Sequence, residues 1–545
     1  MKHILFSLIS LIFTNFHILA QTPNLEWAKS AGSIYIDDSN GIECDSSGNV
    51  YVLVQGGSPM NFDTLQINQY GYFIVKYSSS GNLLWAKNTN NTEIDFGPFT
   101  ILNNFLYITG IYSGNSVIFG NDTLIGKGIC LFKYDLYGNL IWTKTIGKSS
   151  YIDGHGYAVI GKITYDKFGN LYTTGTLMGI MDTTKLTIGN TILASRERAN
   201  DIFIAKYDSS GNPSWAKIVS SYLDDMSNSL VNDTIGNLYI TGYFSGSSID
   251  FDGTTLINNN PNGGSDIFVV KYDSSGNLKW AKSTGGFGYE MGLGITQVHA
   301  NKFYLLGTFT SDTINLWGNQ LIDTTGNGKF VAKMDTLGNV IWAKKVYCSD
   351  DIYGDNNGNF YITGNYNLSI IKYNSFGDTI WTYSDGYCYS QGAAYQSCGY
   401  GYKITMDKSN SLFITGVYLC DSIILGNYTL VNSTFYFGYP DGNWSDVFVA
   451  KISNTETEIK ENFKENQFVF FPNPAKNNIY IKSTSNSNLS GINNITIFDI
   501  NGKPLINQKI SSENTVIDIS SLTNGVYIVK YYNNESIIVN KLIKQ

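Results

Sequence analysis

Short runs that alternate apolar with polar residues recur along the chain, and turns rich in Gly and Asn separate them. One run spans residues 73–77, a Ser-Ser-Ser-Gly-Asn turn follows at residues 78–82, and the next run spans residues 83–87. Runs rich in β-branched and aromatic residues, bounded by Gly-Asn turns, predict β-hairpins. Gly supplies the positive φ that such a turn requires, and Asp or Ser suits its first position. The pattern predicts an all-β chain.

A phrase of three parts repeats seven times along the chain. Its parts are an aromatic-x-x-Gly strand, a Phe-x-x-Lys-Tyr strand, and a Gly-Asn turn that leads into a Trp-Ala-Lys strand. The first part recurs from Tyr107 to Phe413 in steps of about 61 residues. The third part lies at Trp85, Trp142, Trp215, Trp280, Trp342 and Trp381, with a seventh copy at Trp27. Each repeat supplies four strands, termed a, b, c and d, which predicts the blades of a β-propeller around a channel.

The last repeat stops after its third strand, at residues 448–452. Its missing fourth strand matches Leu-Glu-Trp-Ala-Lys at residues 25–29, near the start of the chain. Pairing of the two segments would close the ring and cover an exposed strand edge. A solenoid of stacked repeats is the alternative, but it would need capping repeats, which the pattern lacks. The sequence therefore predicts a seven-bladed β-propeller over residues 21–452, closed by the N-terminal strand.

The repeated phrase also carries a family resemblance. Asp-x-x-Gly-Asn-x-Tyr-x-Thr-Gly, followed by Lys-Tyr-Asp-x-x-Gly-Asn-x-x-Trp-Ala-Lys, resembles the SBBP family of bacterial β-propeller repeats over residues 24–452. The resemblance implies a propeller fold and an extracellular setting. It brings no catalytic residues with it.

The start of the chain reads as a signal for export. An apolar stretch from Ile4 to Ala20 follows a basic start, which predicts a secretory signal peptide over residues 1–20. A membrane anchor is the alternative, but Asn15 and His17 interrupt the stretch. No later segment is long and apolar enough to cross a membrane, so no transmembrane segment is expected in the mature chain. A net charge of −8 and a pI near 5.1 argue against a nucleic-acid partner, because no basic surface is available to neutralise phosphates.

The end of the chain forms a second module. Residues 453–466 are polar and charged and predict a linker, and residues 467–545 return to β-like runs that predict a small β-sandwich. The run Phe-Phe-Pro-Asn-Pro-Ala at residues 470–475 and the terminal Lys-Leu-Ile-Lys resemble the type A C-terminal sorting domain of the type IX secretion system of Bacteroidetes. That resemblance implies handling by the type IX secretion machinery after export through the periplasm. It further implies a place outside the cell or on the outer-membrane surface, with release or attachment to surface lipopolysaccharide.

Chain direction sorts the propeller loops onto two faces. The a–b and c–d turns share one face, here the short-turn face, and the b–c and d–a loops share the opposite one, here the variable face. Binding is expected on the variable face, where a rigid scaffold presents loops. The d–a loop of each repeat carries an acid near the entry to strand a. These acids include Asp38, Asp95, Asp153, Asp225, Glu290, Asp351 and Asp385.

Two interpretations of these acids stay open. A ring of carboxylates at the channel mouth could hold a cation such as calcium, or a basic partner. Alternatively, each acid caps backbone N–H groups where two blades meet. No zinc-type metal spacing and no motif for another cofactor is present.

A loop rich in Tyr offers a second candidate site. It includes Tyr387, Tyr389 and Tyr395, and Cys388 and Cys398 bracket it as candidates for a disulfide. Exposed Tyr rings could stack on sugar faces or anchor a protein partner. Packing within a disulfide-tied loop is the alternative.

The sequence supplies few residues for catalysis. After signal-peptide cleavage only His155 and His299 remain, in unrelated contexts, and no zinc spacing or Gly-x-Ser-x-Gly motif is present. The leading hypothesis is therefore a secreted or surface-attached binding module for a glycan or protein, and not an enzyme. A polysaccharide-degrading enzyme with its site at the channel, built on paired carboxylates, is the second hypothesis. A purely structural surface protein is the third.

Overall fold

The structure is a computed structural model of the whole chain. It describes residues 23–114, 116–149, 158–179, 183–260, 263–298, 301–348, 350–364, 368–385, 387–389, 399–433, 445–453, 468–472, 474–483, 493–499, 504–510, 514–532 and 537–545. The chain divides into two compact units, residues 1–455 and residues 456–545. Each unit is described by itself. The predicted signal peptide lies outside the described residues.

The first unit is a seven-bladed β-propeller, as predicted, and each blade is a four-stranded antiparallel sheet. Strand β1 (Leu25–Gly32) precedes the first blade. Blade 1 has β2 (Asp38–Cys44), β3 (Val50–Gly56), β6 (Gly71–Tyr77) and β7 (Leu83–Asn88), with the hairpin β4 (Met60–Phe62) and β5 (Leu65–Ile67) inserted between b and c. Blade 2 has β8 (Ile94–Leu102), β9 (Phe105–Tyr112), β12 (Lys127–Asp135) and β13 (Leu140–Ser149), with the hairpin β10 (Ser116–Phe119) and β11 (Asp122–Ile125). Blade 3 has β14 (Ala158–Tyr165), β15 (Leu171–Met178), β18 (Asn200–Tyr207) and β19 (Pro213–Val219), with the hairpin β16 (Lys185–Ile188) and β17 (Thr191–Ala194).

The remaining blades repeat this plan. Blade 4 has β20 (Asp225–Asn232), β21 (Leu238–Phe244), β24 (Asp266–Tyr272) and β25 (Leu278–Thr284), with the hairpin β22 (Ser248–Phe251) and β23 (Thr254–Ile257). Blade 5 has β26 (Glu290–Val298), β27 (Lys302–Phe309), β30 (Gly328–Asp335) and β31 (Val340–Lys345), with the hairpin β28 (Thr313–Leu316) and β29 (Asn319–Ile322). Blade 6 has β32 (Asp351–Gly354), β33 (Phe360–Gly364), β34 (Leu368–Tyr373) and β35 (Thr379–Asp385). Blade 7 has β37 (Gly399–Met406), β38 (Leu412–Tyr418), β41 (Asp446–Ile452) and β1, and β36 (Tyr387–Tyr389) pairs with the hairpin β39 (Ser422–Leu425) and β40 (Tyr428–Val431).

Strands b and c of each blade form the deepest layer, because neighbouring blades cover both of their faces. In β24 every residue except Lys271 is buried, whereas the outer strand β25 is mostly half-exposed. The apolar cores lie between blades and not within them. One core combines Tyr172 and Ile204 of blade 3 with Leu238 and Phe268 of blade 4. Each blade therefore depends on its neighbours for its core.

The Asp of the repeated Asp-x-x-Gly-Asn phrase organises a turn. Asp45 Oδ1 accepts hydrogen bonds from the backbone N–H of Ser47 at 2.9 Å and of Asn49 at 3.0 Å. Its Oδ2 accepts one from the Asn49 side chain at 2.8 Å and one from the Tyr51 hydroxyl at 3.1 Å. Gly48 has a φ of 77°, which only Gly adopts without strain. The phrase is structural at this turn.

The repeated Lys and Trp residues join each blade to the next. In blade 4 both Lys271 Nζ and Trp280 Nε1 donate to the carbonyl oxygen of Thr336, in the c–d turn of blade 5, at 3.1 Å each. Lys271 Nζ also lies 5.0 Å from the ring centroid of Tyr239, a cation–π contact. The same bonds run from Lys206 and Trp215 to Ser274, and from Lys333 and Trp342 to Ser375. This inter-blade clamp explains why the phrase repeats.

Breaking one clamp should weaken the propeller. We expect Lys271→Met to lower the free energy of unfolding by about 1–3 kcal/mol, because the half-buried Thr336 carbonyl loses its charged donor. Lys217→Met is the matched control. Lys217 also lies over a Tyr ring, 5.5 Å from the centroid of Tyr272, but its ion pair with Asp252 at 2.8 Å is exposed and worth roughly 0–1 kcal/mol. Thermal unfolding of both variants checks this. An equal fall in Tm for the two would contradict the clamp.

The N-terminal strand closes the ring. β1 pairs antiparallel with β41 over the partners Ala31↔Val447 to Leu25↔Ile452 and serves as strand d of blade 7. Beyond the strand, the N–H of Ser453 donates to the carbonyl of Asn24 at 2.8 Å. The predicted closure is therefore confirmed.

The b–c connections contain regular hairpins that the sequence analysis treated as variable loops. Six of the seven blades have such a hairpin among the described residues, and two of these extend the sheet of the preceding blade: β4 pairs with β1, and β16 pairs with β13. An added strand covers the edge of an outer strand, which would otherwise be open to pairing. The margin of the variable face is therefore ordered.

The second unit contains two antiparallel sheets. One has the order β42 (Phe468–Phe471), β43 (Asn478–Ser483) and β46 (Asn514–Asp518). The other has the order β45 (Pro504–Ile510), β44 (Asn493–Phe498), β47 (Gly525–Tyr532) and β48 (Ile537–Lys544). Ile479 and Ile517 of the first sheet share one buried cluster with Ile497 and Val529 of the second. A shared core is what a β-sandwich requires, and the sandwich itself stays a prediction.

Candidate functional site at the channel

The seven a strands surround a channel that contains two large cavities. The cavity toward the variable face has a volume of about 700 Å³ and is here termed the mouth. The second, termed the chamber, has a volume of about 840 Å³ and reaches the a–b turns of the short-turn face. Lys403 lines both cavities, so they meet at this side chain. The channel thus offers one cavity to each face of the propeller.

Aromatic rings and charged groups line the mouth together. Tyr400 and Tyr402 lie on strand a of blade 7 with their rings stacked, 6.3 Å between centroids. Asp38 and Asp350 are exposed, and Lys403 is half-buried beside them. The lining residues are Asp38, Ser39, Met226, Asn228, Tyr243, Met291, Leu293, Asp350, Tyr400, Tyr402 and Lys403. The mouth therefore combines flat apolar surfaces with strong hydrogen-bonding groups.

A β-bulge brings several of these side chains to the channel. The pairing of strand a with strand b skips one residue in each of five blades, and the skipped residues are Asn40, Gly161, Asn228, Leu293 and Tyr402. An extra residue in one strand re-aims its side chain, and bulges are frequent at rims and binding sites. Three of the five line the mouth, and Asn40 and Gly161 line the chamber. The bulge thus gives the mouth residues that strict alternation would not supply.

The pKa shifts of the groups at the mouth indicate which of them donate hydrogen bonds and which accept them. The pKa of Tyr402 is raised to about 12, mainly by burial and in part by the nearby charges of Asp38 and Asp350. The Tyr402 hydroxyl is therefore protonated at neutral pH and able to donate. Burial also raises the pKa of Asp350, while Lys329 and Lys403 lower it. Donors and acceptors thus stand side by side at the edge of stacked rings.

The structure places the predicted acids in four different environments. Asp38 lies at the mouth, and Asp95 is exposed in an adjoining pocket of about 360 Å³ that Asp38 also lines. Asp351 lies deeper, in the chamber, where its Oδ2 accepts the N–H of Ile404 at 3.1 Å. Asp385 ends the outer strand β35 and accepts the Tyr383 hydroxyl at 2.9 Å. Asp153 lies outside the described residues.

Asp225 and Glu290 are fully buried and cap d–a loops. Asp225 accepts the backbone N–H of Ser221 and, at 2.7 Å, its hydroxyl. Glu290 accepts the N–H of Gly286 at 2.8 Å and the Ser311 hydroxyl at 2.6 Å. Asp37, which precedes Asp38 in the same d–a loop, does the same with the N–H and hydroxyl of Ser33. These acids hold loops in place and do not face the channel.

Each of these caps has a second buried carboxyl group as its neighbour. The neighbour lies at the start of strand c of the preceding blade, and the pairs are Asp37 with Asp446, Asp225 with Asp201, and Glu290 with Asp266. Within the described part of the chain, Oδ1 of Asp201, Asp266 and Asp446 has no hydrogen-bond partner. The pKa of Asp446 is raised to about 7 and that of Asp225 to about 8, mainly by burial and in part by the neighbouring acid. Three blade junctions therefore contain an acid pair that resists full ionisation.

Most of the Tyr-rich loop lies outside the described residues. The backbone of Tyr387 and Tyr389 forms β36, which pairs with β39. Tyr395 and Cys398 lie outside the described residues. Tyr400, Tyr402 and Tyr243, by contrast, reach the mouth. The signal that could have found the mouth is one position of strand a that changes from repeat to repeat and follows the cap acid in blades 1, 4 and 5. By their pairing with strand b, the residues that share it are Asp38, Asp95, Val159, Met226, Met291 and Tyr400.

Across the described ranges, no group of three or more His, Cys, Asp or Glu side chains is arranged to hold a metal ion. A search of the same residues finds no helix long and apolar enough to span a membrane.

Comparison with known proteins identifies the C-terminal module. Residues 469–545 match the model of the secretion system C-terminal sorting domain. An uncharacterized WD repeat-containing protein of Acanthamoeba polyphaga mimivirus is 28% identical over 295 residues, which is 49% of this chain and 21% of that protein. The chain thus spans about a fifth of the length of that curated relative.

Solved structures of bacterial proteins are also similar. A protein of unknown function from Dyadobacter fermentans aligns over 78% of this chain and 98% of its own, at 8% identity and a TM-score of 0.34. The extracellular domain of a putative hybrid two-component system of B. thetaiotaomicron aligns over 95% of this chain and 99% of its own, at 10% identity and a TM-score of 0.20.

The propeller and the terminal module together define the class of protein. The sheet order establishes seven blades, and the match at residues 469–545 confirms the predicted sorting domain of the type IX secretion system. A protein that carries this domain is directed out of the cell or to its surface. The chain is a secreted or cell-surface β-propeller protein with a C-terminal sorting domain of the type IX secretion system.

Proposed function

We propose that the protein binds a glycan at the mouth of its channel, on the variable face. The observation that supports this is the combination, around one open cavity of about 700 Å³, of three Tyr rings with two exposed carboxylates and one Lys. The cavity falls within the size range of ligand sites. A glycan matches both features of this lining.

The aromatic rings account for the apolar side of the ligand. A sugar ring presents a face of C–H groups, and a Tyr ring offers a large, rigid apolar surface with a hydroxyl at its edge. Tyr400 and Tyr402 are stacked side by side, so their conformations are constrained before any ligand arrives. A preorganised surface loses little side-chain entropy on binding.

The charged groups account for the polar side. The carboxylates of Asp38 and Asp350 accept hydrogen bonds from sugar hydroxyls, and hydrogen bonds to charged groups are stronger than neutral ones. Lys403 Nζ donates hydrogen bonds to the oxygen atoms of a sugar. A nucleic acid fits poorly, because the mouth carries two acids and one base.

The d–a loops extend this surface beyond the mouth. Four of the d–a loops display exposed aromatic residues. They are Tyr35, Tyr222, Phe287 and Tyr347, with 49%, 80%, 85% and 79% of each residue exposed. All four lie on the variable face, since every d–a loop does. A ligand longer than one sugar would find further apolar contacts there. The binding experiment distinguishes a glycan from a protein ligand on the same face.

Binding should depend on the mouth residues. We expect Tyr402→Ala to weaken glycan binding at least about fivefold, since an aromatic anchor contributes about 1 kcal/mol or more. Asp38→Asn should weaken it as well, by removing a charged acceptor. Screening the mature chain on a glycan array, followed by calorimetry on a binding glycan, measures both effects.

A Tyr on the opposite face provides the control. Tyr137 is 75% exposed in a c–d turn of the short-turn face, so Tyr137→Ala should leave binding unchanged. Absence of any bound glycan, or equal affinity in Tyr402→Ala and the unmodified chain, would refute the proposal. If the mature chain captures a protein instead of a glycan, and Tyr402→Ala abolishes that capture, the mouth is a protein-binding site and the glycan proposal fails.

Processing of the chain forms part of this proposal. We propose that residues 1–20 are removed on export, that residues 453–466 link residues 21–452 to residues 467–545, and that the product is either released or attached to surface lipopolysaccharide. The intact mass of the protein isolated from its native host tests each step. A mass that includes residues 1–20 would refute the first.

A further inference from the structure

The chamber carries a second set of charged groups, which shares only Lys403 with the mouth. Inner strands of all seven blades line its volume of about 840 Å³. The half-buried charges on its a strands are Glu43 from blade 1, Lys162 from blade 3, Asp351 from blade 6 and Lys403 from blade 7. Asp45 and Asp407 also line it, but each accepts backbone N–H groups of its own a–b turn, and Lys408 is exposed. In ring order the signs of the four a-strand charges alternate, and those four sum to zero. Nothing in the proposed glycan site uses Glu43 or Lys162.

These charges are held apart. In the part of the chain that the structure describes, none of the four forms an ion pair within 4.0 Å. Each grows from a different blade, so the propeller scaffold fixes their separation. Charged groups that are partly withdrawn from water and not directly paired gain from a ligand that supplies the missing opposite charge.

The charges nevertheless interact across the cavity. Burial, together with the charge of Asp351, raises the pKa of Glu43 to about 7, and the charge of Lys162 opposes this shift. Asp351 is held in position by the N–H of Ile404 at 3.1 Å. Glu43 and Asp351 therefore repel each other, and a positive group placed between them relieves that repulsion.

The remaining wall is suited to a small organic molecule. Tyr165 and Tyr353 flank Glu43 closely enough for its charge to raise the pKa of both hydroxyls, after the larger effect of burial. Thr164 and Thr296 add hydroxyl groups, and the rim toward the short-turn face carries Asn103. The chamber therefore offers both signs of charge, aromatic surface and neutral hydrogen-bonding groups.

We propose that the chamber binds a small zwitterion, such as a free amino acid or a dipeptide. The ammonium group is placed next to Glu43 and Asp351, and the carboxylate faces Lys162 across the chamber. Such a ligand pairs both acids and Lys162, and it leaves the net charge of the chamber unchanged. A simple cation would pair only the acids, a simple anion only Lys162, and a neutral sugar would pair none. The entrance is on the short-turn face, opposite the glycan site.

Calorimetry on the full mature chain tests this proposal. The probes are a panel of free L-amino acids and Gly-Gly, each compared with its N-acetylated form, which lacks the ammonium group, and its amidated form, which lacks the carboxylate. We expect at least one zwitterion to bind, and both blocked forms to bind at least about tenfold more weakly, because each loses one charge pair. Glu43→Gln and Lys162→Met should each produce a loss of similar size.

Two substitutions outside the channel serve as matched controls. Asp323→Asn and Lys217→Met each remove one member of an ion pair outside the channel and should leave binding unchanged. If Glu43→Gln does not fold, the Lys162→Met variant and the blocked probes still test the proposal. No binding by any zwitterion, equal binding of the blocked forms, or binding only of neutral sugars would each overturn the proposal.

Discussion

Removal of residues 21–32 should abolish the cooperative folding of the propeller. β1 supplies the outer strand of blade 7, where Leu25, Trp27, Ala28 and Ala31 are all buried. Burial of Leu25 and Trp27 alone is worth about 3–6 kcal/mol, and domains are stable by only about 5–15 kcal/mol. Loss of β1 also leaves β41 as an open edge in a ring that has no other closure. The expected result is aggregation or the loss of a single sharp thermal transition.

Truncation at the other end of the chain is the control. Removal of residues 456–545 takes away the second compact unit and leaves β1 and β41 in place. The propeller should then keep its thermal transition. Calorimetry and size-exclusion chromatography of the two truncated chains, expressed side by side, measure the difference. A compact monomer with an unchanged Tm after loss of residues 21–32 would refute closure by the N-terminal strand.

The stability of the propeller should fall as pH rises from about 4 to 8. The cause is the set of buried acids whose pKa is raised in the folded state: Asp37, Asp201 and Asp266 to about 6, Asp446 to about 7 and Asp225 to about 8. The folded state binds these protons more tightly than the unfolded chain does. Their favourable contribution is therefore complete below the unfolded pKa near 4 and is lost as pH rises through the folded values. Each group contributes at most about 1.4 kcal/mol per pH unit within that window.

Amide substitutions should remove this dependence. In the triple variant D201N/D266N/D446N, neutral groups of the same shape replace the strand-c member of each pair. We expect higher stability than that of the unmodified chain at pH 8, by up to about 3 kcal/mol per site, little difference at pH 4, and a flatter slope between them. Thermal unfolding across pH 4–8 provides the measurement.

An acid with the opposite pKa shift, Asp323 in its ion pair with Lys345, serves as the control. Lys345 and Thr325 lower the pKa of Asp323 to about 2, so that group stays ionised throughout the range. Asp323→Asn should therefore shift the curve evenly without changing its slope. A slope in the triple variant equal to that of the unmodified chain would show that the buried acids do not control the pH response.

Local pattern was enough to predict the repeat and its closure. Strand alternation, the Gly-Asn turns and the position of Trp27 ahead of the other copies follow from contacts within one hairpin or between adjacent blades. Such contacts recur at a fixed period and can therefore be recognised in the sequence. The sorting domain could be recognised for a similar reason, since its motifs occur in a fixed order and lie at the end of the chain. The inserted b–c hairpins were not predicted, because their strands are only three or four residues long.

The site was decided by tertiary structure. Asp38 and Asp225 look alike in sequence, yet one is exposed at the mouth and the other is buried as a cap, because they stand one position apart relative to strand b. A β-bulge adds Tyr402 to the channel, and seven blades bring Glu43, Lys162 and Asp351 around one chamber. The chain by itself thus determined a closed, exported propeller, since that depends on local periodicity. Which side chains meet in the channel depended on register and ring geometry, which no single repeat encodes.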